Sequence, residues 1–397
     1  MTTTINNGHK KLNVPNLRFP EFEGEWKKTK FGDIATGFDY GMNAAAKNYD
    51  GVNKYIRITD IDEASSTYTD KDIVSPDGIL TDNYLVNNRD ILLARTGAST
   101  GKSYLYKKSD GNLYYAGFLI RANVTTHDPY FVFSQLHTHR YWRWVSIMSA
   151  RSGQPGINSQ EYSSFPIYTT SIAEESKIAK LLSLLDERIA TQNKIIEDLK
   201  MLKSAISNYL FTRKELLETT ICLADIATLK NGYAFKSTKH NTLGQWKILT
   251  IANVSGERYI NDDDCNCIIN LPKDIQDYQV LNEGDILISL TGNVGRVSLC
   301  KAGNYLLNQR VGLLHITKDV NQEFLFQILS SRKFENSMVA CGQGAAQMNI
   351  GKGDVESYVL PYSSNINNIR MIAEILQSYD EFIINEQRTR TLLTMQK

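Results

Sequence analysis

The hydrophobic positions of this chain follow two different periods. Short runs rich in β-branched and aromatic residues, separated by Gly, Asn and Asp, predict strands at residues 54–61, 91–94, 286–290 and 311–316. Elsewhere hydrophobic residues recur at alternating steps of four and three, and no Pro or Gly interrupts residues 173–214. That spacing predicts a long helix with a coiled-coil seam. The pattern therefore indicates β-rich domains combined with long helices.

The chain repeats itself once, at an offset that stays between 191 and 195 residues. Repetition at a fixed offset indicates duplicated structural units, and here each copy has a β-rich part followed by a helix. The matching segments keep their order along the chain: residues 33–36 match 225–228, residues 90–97 match 285–292, and residues 178–189 match 372–383.

The seam of each predicted helix is mainly hydrophobic, with polar interruptions at Gln192 and Lys203 in the first helix and at Glu386 and Arg390 in the second. Two such helices bury their seams most simply as an antiparallel coiled coil, which relates the two halves by an approximate two-fold axis. The second helix is expected to be about three turns shorter. The seam residues are Ile178, Leu182, Leu185, Ile189, Ile196, Leu199, Ile206, Ile372, Leu376, Tyr379, Ile383 and Leu393.

These patterns predict an α+β fold of two repeated β-rich domains, each followed by a long helix, with the two helices forming an antiparallel coiled coil of pseudo-two-fold symmetry. The predicted segments are an N-terminal arm at 1–29, a first domain at 30–171, a first helix at 172–214, a second domain at 215–365 and a second helix at 366–397.

Composition narrows the class of protein. Hydrophobic residues make up 42% and charged residues 22% of the chain, as in soluble globular proteins. No run of eighteen apolar residues and no signal peptide is present, so we expect no membrane association and a cytoplasmic location. The 44 basic residues barely exceed the 43 acidic ones, which argues against a free-standing nucleic-acid binder. Any contact with DNA must therefore use local basic clusters or a partner.

Motifs that suggest catalysis or metal binding are incomplete. The five cysteines include no Cys-x-x-Cys pair, so we expect reduced thiols and no metal site. Residues 97–103 resemble a phosphate-binding loop, but only three residues separate the glycines, and residues 104–106 predict a strand where the loop needs a helix. Asp128-Pro129-Tyr130 lacks one proline of the motif that adenine methyltransferases use. A nucleotide-dependent enzyme remains a disfavoured alternative.

Residues 14–26, Val-Pro-Asn-Leu-Arg-Phe-Pro-Glu-Phe-Glu-Gly-Glu-Trp, resemble the opening of specificity subunits of type I restriction–modification systems. Further motifs follow in the order of that family: the two Thr-Gly segments (Thr96-Gly97 and Thr291-Gly292), the segments at Asn158 and Asn349, and the two helices. The resemblance covers about residues 13–397, and the short second helix departs from it.

That resemblance implies two target-recognition domains, each reading half of a bipartite sequence in double-stranded DNA. It also implies two adenine methyltransferase subunits bound along the helices, restriction subunits, and no catalytic residue in this chain. S-adenosylmethionine, ATP and Mg are then cofactors of the partner subunits only.

Candidate DNA contacts are residues whose chemistry suits phosphates or base edges. Glycines admit backbone amides close to phosphates, and Arg, Gln and Asn hydrogen-bond bases in the major groove. In an equally weighted alternative interpretation, the glycines only form tight turns between strands and the basic residues are solvated surface residues. The candidates are Arg95, Thr96, Gly97, Lys102, Arg121, Arg143, Arg151, Gln154 and Asn158 in the first domain, and Asn253, Arg258, Thr291, Gly292, Asn293, Arg296, Gln309, Arg310, Gln343, Gln347 and Asn349 in the second.

A different class of protein fits the same repeat. A bivalent protein scaffold uses the same pair of helices and shows no sequence preference on DNA at physiological salt. DNA sequence preference therefore separates the two hypotheses.

Overall fold

The computed structural model describes residues 13–150, 155–342 and 348–396, apart from the side chain of Lys239. Contacts between Cα atoms divide the chain into two compact units, with the boundary between Arg188 and Ile189.

Among its described residues, the first unit contains ten strands and the helices that pack on them. Its strands are β1 (Lys27–Lys30), β2 (Ala35–Tyr40), β3 (Ala45–Asn48), β4 (Asn53–Ile56), β5 (Val74–Asp77), β6 (Asp90–Ala94), β7 (Ser103–Leu105), β8 (Asn112–Tyr115), β9 (Leu119–Val124) and β10 (Pro166–Thr169). Its helices are α1 (Phe31–Ile34), α2 (Pro129–Gln135), α3 (His139–Ser149), α4 (Ser159–Ser163) and α5 (Ile172–Thr212), with 3-10 turns at Ile58–Asp60, Asp82–Tyr84, Gly97–Ser99 and Lys108–Asp110.

The centre of the first unit is an antiparallel sheet of order β2-β9-β6-β7. Strand β6 is buried along its whole length, and α2 and α3 pack on one face of the sheet through Val132, Tyr141 and Val145. Smaller pairings, β3 with β5, parallel β4 with β8, and β1 with β10, complete the unit. The run at residues 91–94 that predicted a strand thus lies in the middle of this sheet, whereas the run that begins at residue 54 pairs outside it.

The segment predicted as an N-terminal arm is anchored to the start of α5. The guanidinium of Arg18 donates two hydrogen bonds of 2.7 Å to the carboxylate of Glu174, and the indole of Trp26 donates a third of 3.2 Å. Although burial opposes the shift, these bonds and one from Thr170 lower the pKa of Glu174. Strand β1 also begins three residues before the expected domain boundary, where Lys-Lys-Thr-Lys gives no hydrophobic pattern to indicate a strand.

The second unit repeats this plan. Its strands are β11 (Thr219–Cys222), β12 (Ala227–Asn231), β13 (Trp246–Leu249), β14 (Asn266–Ile268), β15 (Val280–Leu281), β16 (Ile286–Ser289), β17 (Val297–Leu299), β18 (Tyr305–Leu307), β19 (Val311–Ile316) and β20 (Val359–Tyr362). Its helices are α6 (Gln322–Leu329), α7 (Arg332–Cys341), α8 (Lys352–Glu356) and α9 (Ile366–Gln396), with 3-10 turns at Leu223–Asp225, Ser237–Lys239 and Asp277–Gln279.

The sheets of the second unit match those of the first. The order β12-β19-β16-β17 reproduces β2-β9-β6-β7, and β11 pairs with β20 as β1 pairs with β10. A mixed sheet of order β14-β13-β18-β15 lies beside it. The repetition detected in the sequence is therefore a repetition of structure.

The equivalent strands β2 and β12 differ by one extra residue in β2. The pairing of β2 with β9 shifts register between Gly37 and Asp39, whereas β12 pairs with β19 without a shift. The extra residue, Phe38, has a φ of 57° and packs edge-on against Phe31 at 5.1 Å. This β-bulge accounts for a change of one residue in the offset between the copies.

Helices α5 and α9 lie close together. In the second unit Ile206 and Leu210 of α5 share a hydrophobic cluster with Ile369, Ile372 and Leu376 of α9. Every predicted seam side chain is buried or half-buried. The helices have 41 and 31 residues, so the second is shorter by the three turns that the sequence predicted.

Of the polar interruptions of the seam, Gln192 and Glu386 meet each other in the second unit, whereas Lys203 pairs with Asp380, which was not predicted as an interruption. Gln192 donates a hydrogen bond to Glu386, and Lys203 Nζ lies 2.5 Å from Asp380 Oδ1. The residue later in α5, Lys203, therefore contacts the residue earlier in α9, Asp380.

One predicted strand was too long. Residues 54–61 were expected to be a single strand, but β4 ends at Ile56 and a 3-10 turn follows. The turn forms because Asp60 accepts hydrogen bonds from the backbone and guanidinium of Arg57, at 2.8 and 2.9 Å. A side-chain bond between two residues so close in sequence competes with strand pairing.

Candidate nucleic-acid interface

In each unit the Thr-Gly turn is hydrogen-bonded to the loop that precedes the short helix α4 or α8. In the first unit Gly97 N donates to Pro155 O at 3.0 Å, and Ile157 N donates to Arg95 O at 2.9 Å. In the second unit Gly292 N donates to Met348 O at 3.0 Å, and Ile350 N donates to Leu290 O at 2.9 Å. Segments far apart in sequence are thereby held as one loop cluster in each unit.

A third loop joins each cluster. Arg95 N donates to Phe118 O at 3.0 Å in the first unit, and Leu290 N donates to Arg310 O at 3.1 Å in the second. We define the first loop cluster as residues 95–97, 118 and 155–158 with Tyr40, and the second as residues 290–293, 308–310 and 348–349 with Tyr233.

The first loop cluster exposes aromatic and basic side chains. The guanidinium of Arg95 lies 4.6 Å from the centre of the Tyr40 ring, and that ring is 43% exposed. Phe118 is 59% exposed, although an aromatic side chain gains by burial. A Cβ on Gly97 would meet no atom within 4 Å, so the backbone of the turn is open to a ligand. Asn158 is exposed, and its Oδ1 accepts a hydrogen bond from Glu161 N at 2.9 Å.

The second loop cluster has the same backbone frame but different side chains. Thr291 Oγ1 donates to Asn349 Oδ1 at 3.0 Å, and Gln309 N donates to Tyr233 O at 3.0 Å. Asn293, Gln309 and Arg310 are exposed. This cluster therefore offers amides and a guanidinium where the first offers Tyr40, Arg95 and Phe118.

Three predicted contacts of the first unit lie outside its loop cluster. Lys102 Nζ forms an ion pair with Glu63 Oε2 at 3.1 Å, and Arg121 contacts Asp39 at 3.4 Å. Arg143 is exposed on α3. Of the aromatic residues before it, Tyr141 is fully buried and Trp142 is 42% exposed.

Two predicted contacts of the second unit are turned into the protein. Asn253 is 5% exposed, and its amide accepts a hydrogen bond from Thr250 N at 2.7 Å and donates one to Asn261 O at 2.8 Å. Arg258 has a side chain 8% exposed and donates two bonds of 2.7 Å to Glu323. Their polar groups are occupied by internal partners, so neither belongs to the second loop cluster.

Arg258 is part of a buried ionic network that connects the second domain with the helix pair. Asp380 of α9 accepts bonds from Arg258 Nη1 at 3.0 Å, Gln327 Nε2 at 2.7 Å and Lys203 Nζ at 2.5 Å. Burial lowers the pKa of Arg258, but the bonds to Glu323 and the nearby carboxylates outweigh it and raise that pKa. The network keeps its charges paired, as a buried cluster requires.

Arg296 lies 3.5 Å from Glu335 and is half-exposed. Arg151, Gln154, Gln343 and Gln347 lie outside the described residues. After the turn that resembles a phosphate-binding loop, Ser103–Leu105 is a strand, as the sequence predicted.

Sequence reasoning missed Tyr40 and Phe118. A signal for Phe118 was present, because Gln309 and Arg310 were proposed in the second copy and Phe118 lies 192 residues before Arg310. Aligning the two copies and transferring Arg310 to the equivalent position of the first copy identifies Phe118. Tyr40 lies next to the β-bulge, where the two copies are out of register.

Comparison with known proteins identifies the family. The model of the type I restriction modification DNA specificity domain matches the chain twice, at residues 23–201 and 218–394. The chain therefore belongs to the type I restriction–modification DNA specificity family.

Individual relatives agree with this assignment. The type I restriction enzyme MjaVIII specificity subunit of Methanocaldococcus jannaschii is 25% identical, over 92% of this chain and 88% of the relative. The putative MjaX specificity subunit of the same organism is 24% identical, over 94% and 91%. The crystal structure of a type I restriction–modification S subunit from M. genitalium shares the fold, with a TM-score of 0.60 at 15% identity and 96% coverage of both chains. Among the described residues, no helix is long and apolar enough to cross a membrane.

Proposed function

We propose that this chain is the non-catalytic subunit that gives a type I restriction–modification complex its DNA sequence specificity, and that it reads an asymmetric target in two parts. The observation that carries the proposal is the pair of loop clusters, which share one backbone frame and differ in their exposed side chains. A shared frame suits the same task on the same kind of ligand, while different side chains select different base sequences.

The chemistry of the two clusters supports different half-sites. Arg310 and Gln309 carry the groups that hydrogen-bond guanine and adenine edges in the major groove. Tyr40 and Phe118 instead suit apolar contact with bases or sugars. Because the exposed side chains of the two clusters differ, we expect the two half-sites to differ and the target to be asymmetric.

We propose that α5 and α9 form an antiparallel coiled coil that sets the gap between the half-sites. The opposite order of the contacts of Gln192 with Glu386 and of Lys203 with Asp380 supports this direction. A straight helix of 41 residues is about 60 Å long, which exceeds one turn of duplex DNA.

The outer faces of the helices support the binding of partner subunits. Apolar side chains there are exposed, and exposed apolar surface of this kind marks protein interfaces. They include Leu181, Leu184, Leu202, Phe382, Leu392 and Met395, which are between 46% and 77% exposed. We propose that two adenine methyltransferase subunits, and restriction subunits beyond them, assemble on this chain and bring S-adenosylmethionine, ATP and Mg²⁺.

Genome-wide mapping of methylated adenine tests the proposal. The chain is expressed with its methyltransferase subunit in a host that lacks adenine methylation, and the methyltransferase subunit alone serves as control. We expect methylation at one asymmetric two-part motif with a fixed gap, present only when this chain is present.

Two outcomes contradict the proposal. Methylation that is unchanged without the chain would assign specificity to the partner. A stable, active complex that methylates no defined motif would favour a bivalent protein scaffold.

A further inference from the structure

A basic cleft lies between the second domain and the helix pair, entirely within the second unit. Its volume is about 690 Å³, and it is lined by α5 from Lys200 to Asn208, the loop from Gly256 to Asn261, the start of α7, and α9 from Asp380 to Arg390. Seven of its lining residues are Lys or Arg and three are acidic. In a chain whose total charge is +1, this is a local concentration of positive charge.

The basic residues of this cleft fall into two groups. Lys200, Lys203, Arg258 and Lys301 each form an ion pair with a carboxylate. Arg332, Arg388 and Arg390 do not: within the described ranges no carboxylate oxygen lies within ion-pair distance of their guanidinium groups. Arg332 and Arg388 are exposed, and Arg390 is half-exposed. Their charges are therefore available to a ligand from outside the chain.

The cleft continues toward the second loop cluster. A smaller cleft of about 220 Å³ shares Gly256 and Ser330 with it, and its other wall contains Gly295 and Arg296. Arg296 follows the Thr-Gly turn by only four residues. Basic groups therefore extend from Arg296, which pairs with Glu335 at 3.5 Å, past the start of α7, to the middle of α9.

We propose that this cleft binds the sugar-phosphate backbone of the DNA between the two half-sites. The inference rests on the proposed function and deepens it, because it assigns a part of this chain to the segment of the target whose sequence is not read. Arg332, Arg388 and Arg390 would each neutralise a phosphate. Contacts of this kind add affinity and fix the path of the duplex without selecting a sequence.

Duplex DNA fits these observations better than an acidic protein segment does. The unpaired guanidinium groups are spread over two helices and along a continuous cleft, which suits a ligand with regularly repeated charges. The smaller cleft contains Arg296, four residues after the Thr-Gly turn of the second loop cluster, so a duplex bound along both clefts would pass near that turn. The N-terminus of α7, where Arg332 is the first residue, adds a favourable dipole for phosphate.

The test compares the salt dependence of DNA binding by the complex of this chain with its methyltransferase subunit. The variants are Arg388→Gln/Arg390→Gln and, separately, Arg332→Gln. The matched control is Lys318→Gln/Arg370→Gln, which removes the same charge at exposed residues outside the cleft. Because each phosphate contact contributes about 0.9 to the slope of log K against log[KCl], we expect the slope to fall by about 1.8 for the double variant and about 0.9 for the single variant.

A second readout locates the contact. Ethylation of backbone phosphates in the gap should interfere with binding by the wild type and the control, and this interference should disappear in the double variant. The methylated motif should remain the same in all variants.

Other results would overturn the inference. A slope unchanged from wild type excludes phosphate contacts in the cleft, and loss of methyltransferase assembly with an unchanged slope assigns the cleft to a protein partner instead. Both results would leave the proposed function intact if the wild-type complex still prefers its two-part target. A wild-type complex without any target preference would overturn the proposed function together with this inference.

Discussion

Gly41 and Gly232 occupy equivalent places in the two copies, where the chain passes directly under a backbone carbonyl. A Cβ on Gly41 would lie 2.2 Å from Ala116 O, and a Cβ on Gly232 would lie 2.2 Å from Asn308 O. No side chain can be accommodated there without moving the strand beside it. Both glycines are therefore needed to bring the loops of each cluster together.

We predict that Gly232→Ala lowers the free energy of unfolding by about 2 kcal/mol or more, because the backbone of Asn308 must shift to make room. Chemical denaturation measures the change. Gly353→Ala is the matched control, since a Cβ at Gly353 meets no atom within 4 Å and this residue lies inside α8. The control should gain up to about 1 kcal/mol from helix propensity. Equal effects of the two substitutions would contradict this explanation.

The carboxylate of Asp262 accepts hydrogen bonds from three side chains of the second domain. Its carboxylate oxygens lie 2.6 Å from Lys247 Nζ, 2.9 Å from Lys301 Nζ and 3.0 Å from Tyr305 OH. Partial burial opposes the shift, but these three bonds hold the pKa of Asp262 well below its ordinary value of 3.8. Burial and the bond to Asp262 also raise the pKa of Tyr305 to about 12.

The direction of this pKa shift fixes a pH dependence. A carboxyl group whose pKa is lowered by folding stabilises the protein above its unfolded pKa, and this stabilisation declines as the pH falls toward the folded pKa. Asp262→Asn should therefore cost about 2 kcal/mol at pH 7 and progressively less below about pH 4. Denaturation of both proteins across this range measures the difference. Asp263→Asn, at an exposed residue, should leave stability unchanged at every pH.

Among the elements, α5 and α9 show what a hydrophobic period can and cannot predict. The predicted bounds of α5 differ from the structure by two residues at most, because a long uninterrupted period is a strong signal. The polar interruptions at Gln192, Lys203 and Glu386 were also visible in the sequence. Their pairing was not, because partners such as Gln192 and Glu386 are 194 residues apart.

The sequence also does not predict contacts between distant residues in the case of Arg258 and Asn253, two candidate DNA contacts that lie inside the protein. Arg258 was proposed to contact DNA because a guanidinium group suits phosphates and base edges, but its partner Asp380 is 122 residues away. Asn253 was proposed because an amide can hydrogen-bond a base edge, but its side chain donates a hydrogen bond to Asn261 O within the same domain. Residue type predicts a chemical capacity, whereas the tertiary structure determines which partner uses it.

Asp380 leads to a prediction about the connection between the second domain and the helices. Asp380→Asn would leave Arg258 and Lys203 buried with one fewer carboxylate, and breaking a buried ion pair in this way costs about 3–5 kcal/mol. We expect a loss of this size in the unfolding of the second unit, measured by denaturation. Glu381→Gln changes the neighbouring exposed carboxylate and should cost less than about 0.5 kcal/mol. A loss below 1 kcal/mol for Asp380→Asn would show that the network is not needed.

At the scale of the whole molecule, the repeat was detectable from the sequence because the buried strands of the two copies conserve their hydrophobic runs. The loops do not, and no pattern in the sequence predicts which side chains meet in each cluster. Backbone pairing across 58 residues, such as the bridge between Thr291 and Asn349, depends on how the sheet brings the loops together.

The structure also defines where each recognition domain can be exchanged. Strand β1 pairs with β10 from Lys27 with Thr169 to Lys30 with Pro166, and β11 pairs with β20 in the same manner. An exchange that cuts inside either pairing would leave a strand without its native partner. Residues 27–169 and 219–362 are therefore the segments to move together.

We predict that replacing residues 27–169 with the matching segment of another family member changes one half of the methylated motif and preserves the other half. The helices and the bond between Arg18 and Glu174 remain in place, so the gap should also be preserved. Replacing residues 219–362 is the reciprocal control and should change only the other half. Adenine methylation mapping of both chimaeras measures the result. A change in both halves from a single exchange would show that the two loop clusters do not read DNA independently, since each is built entirely from residues of its own unit.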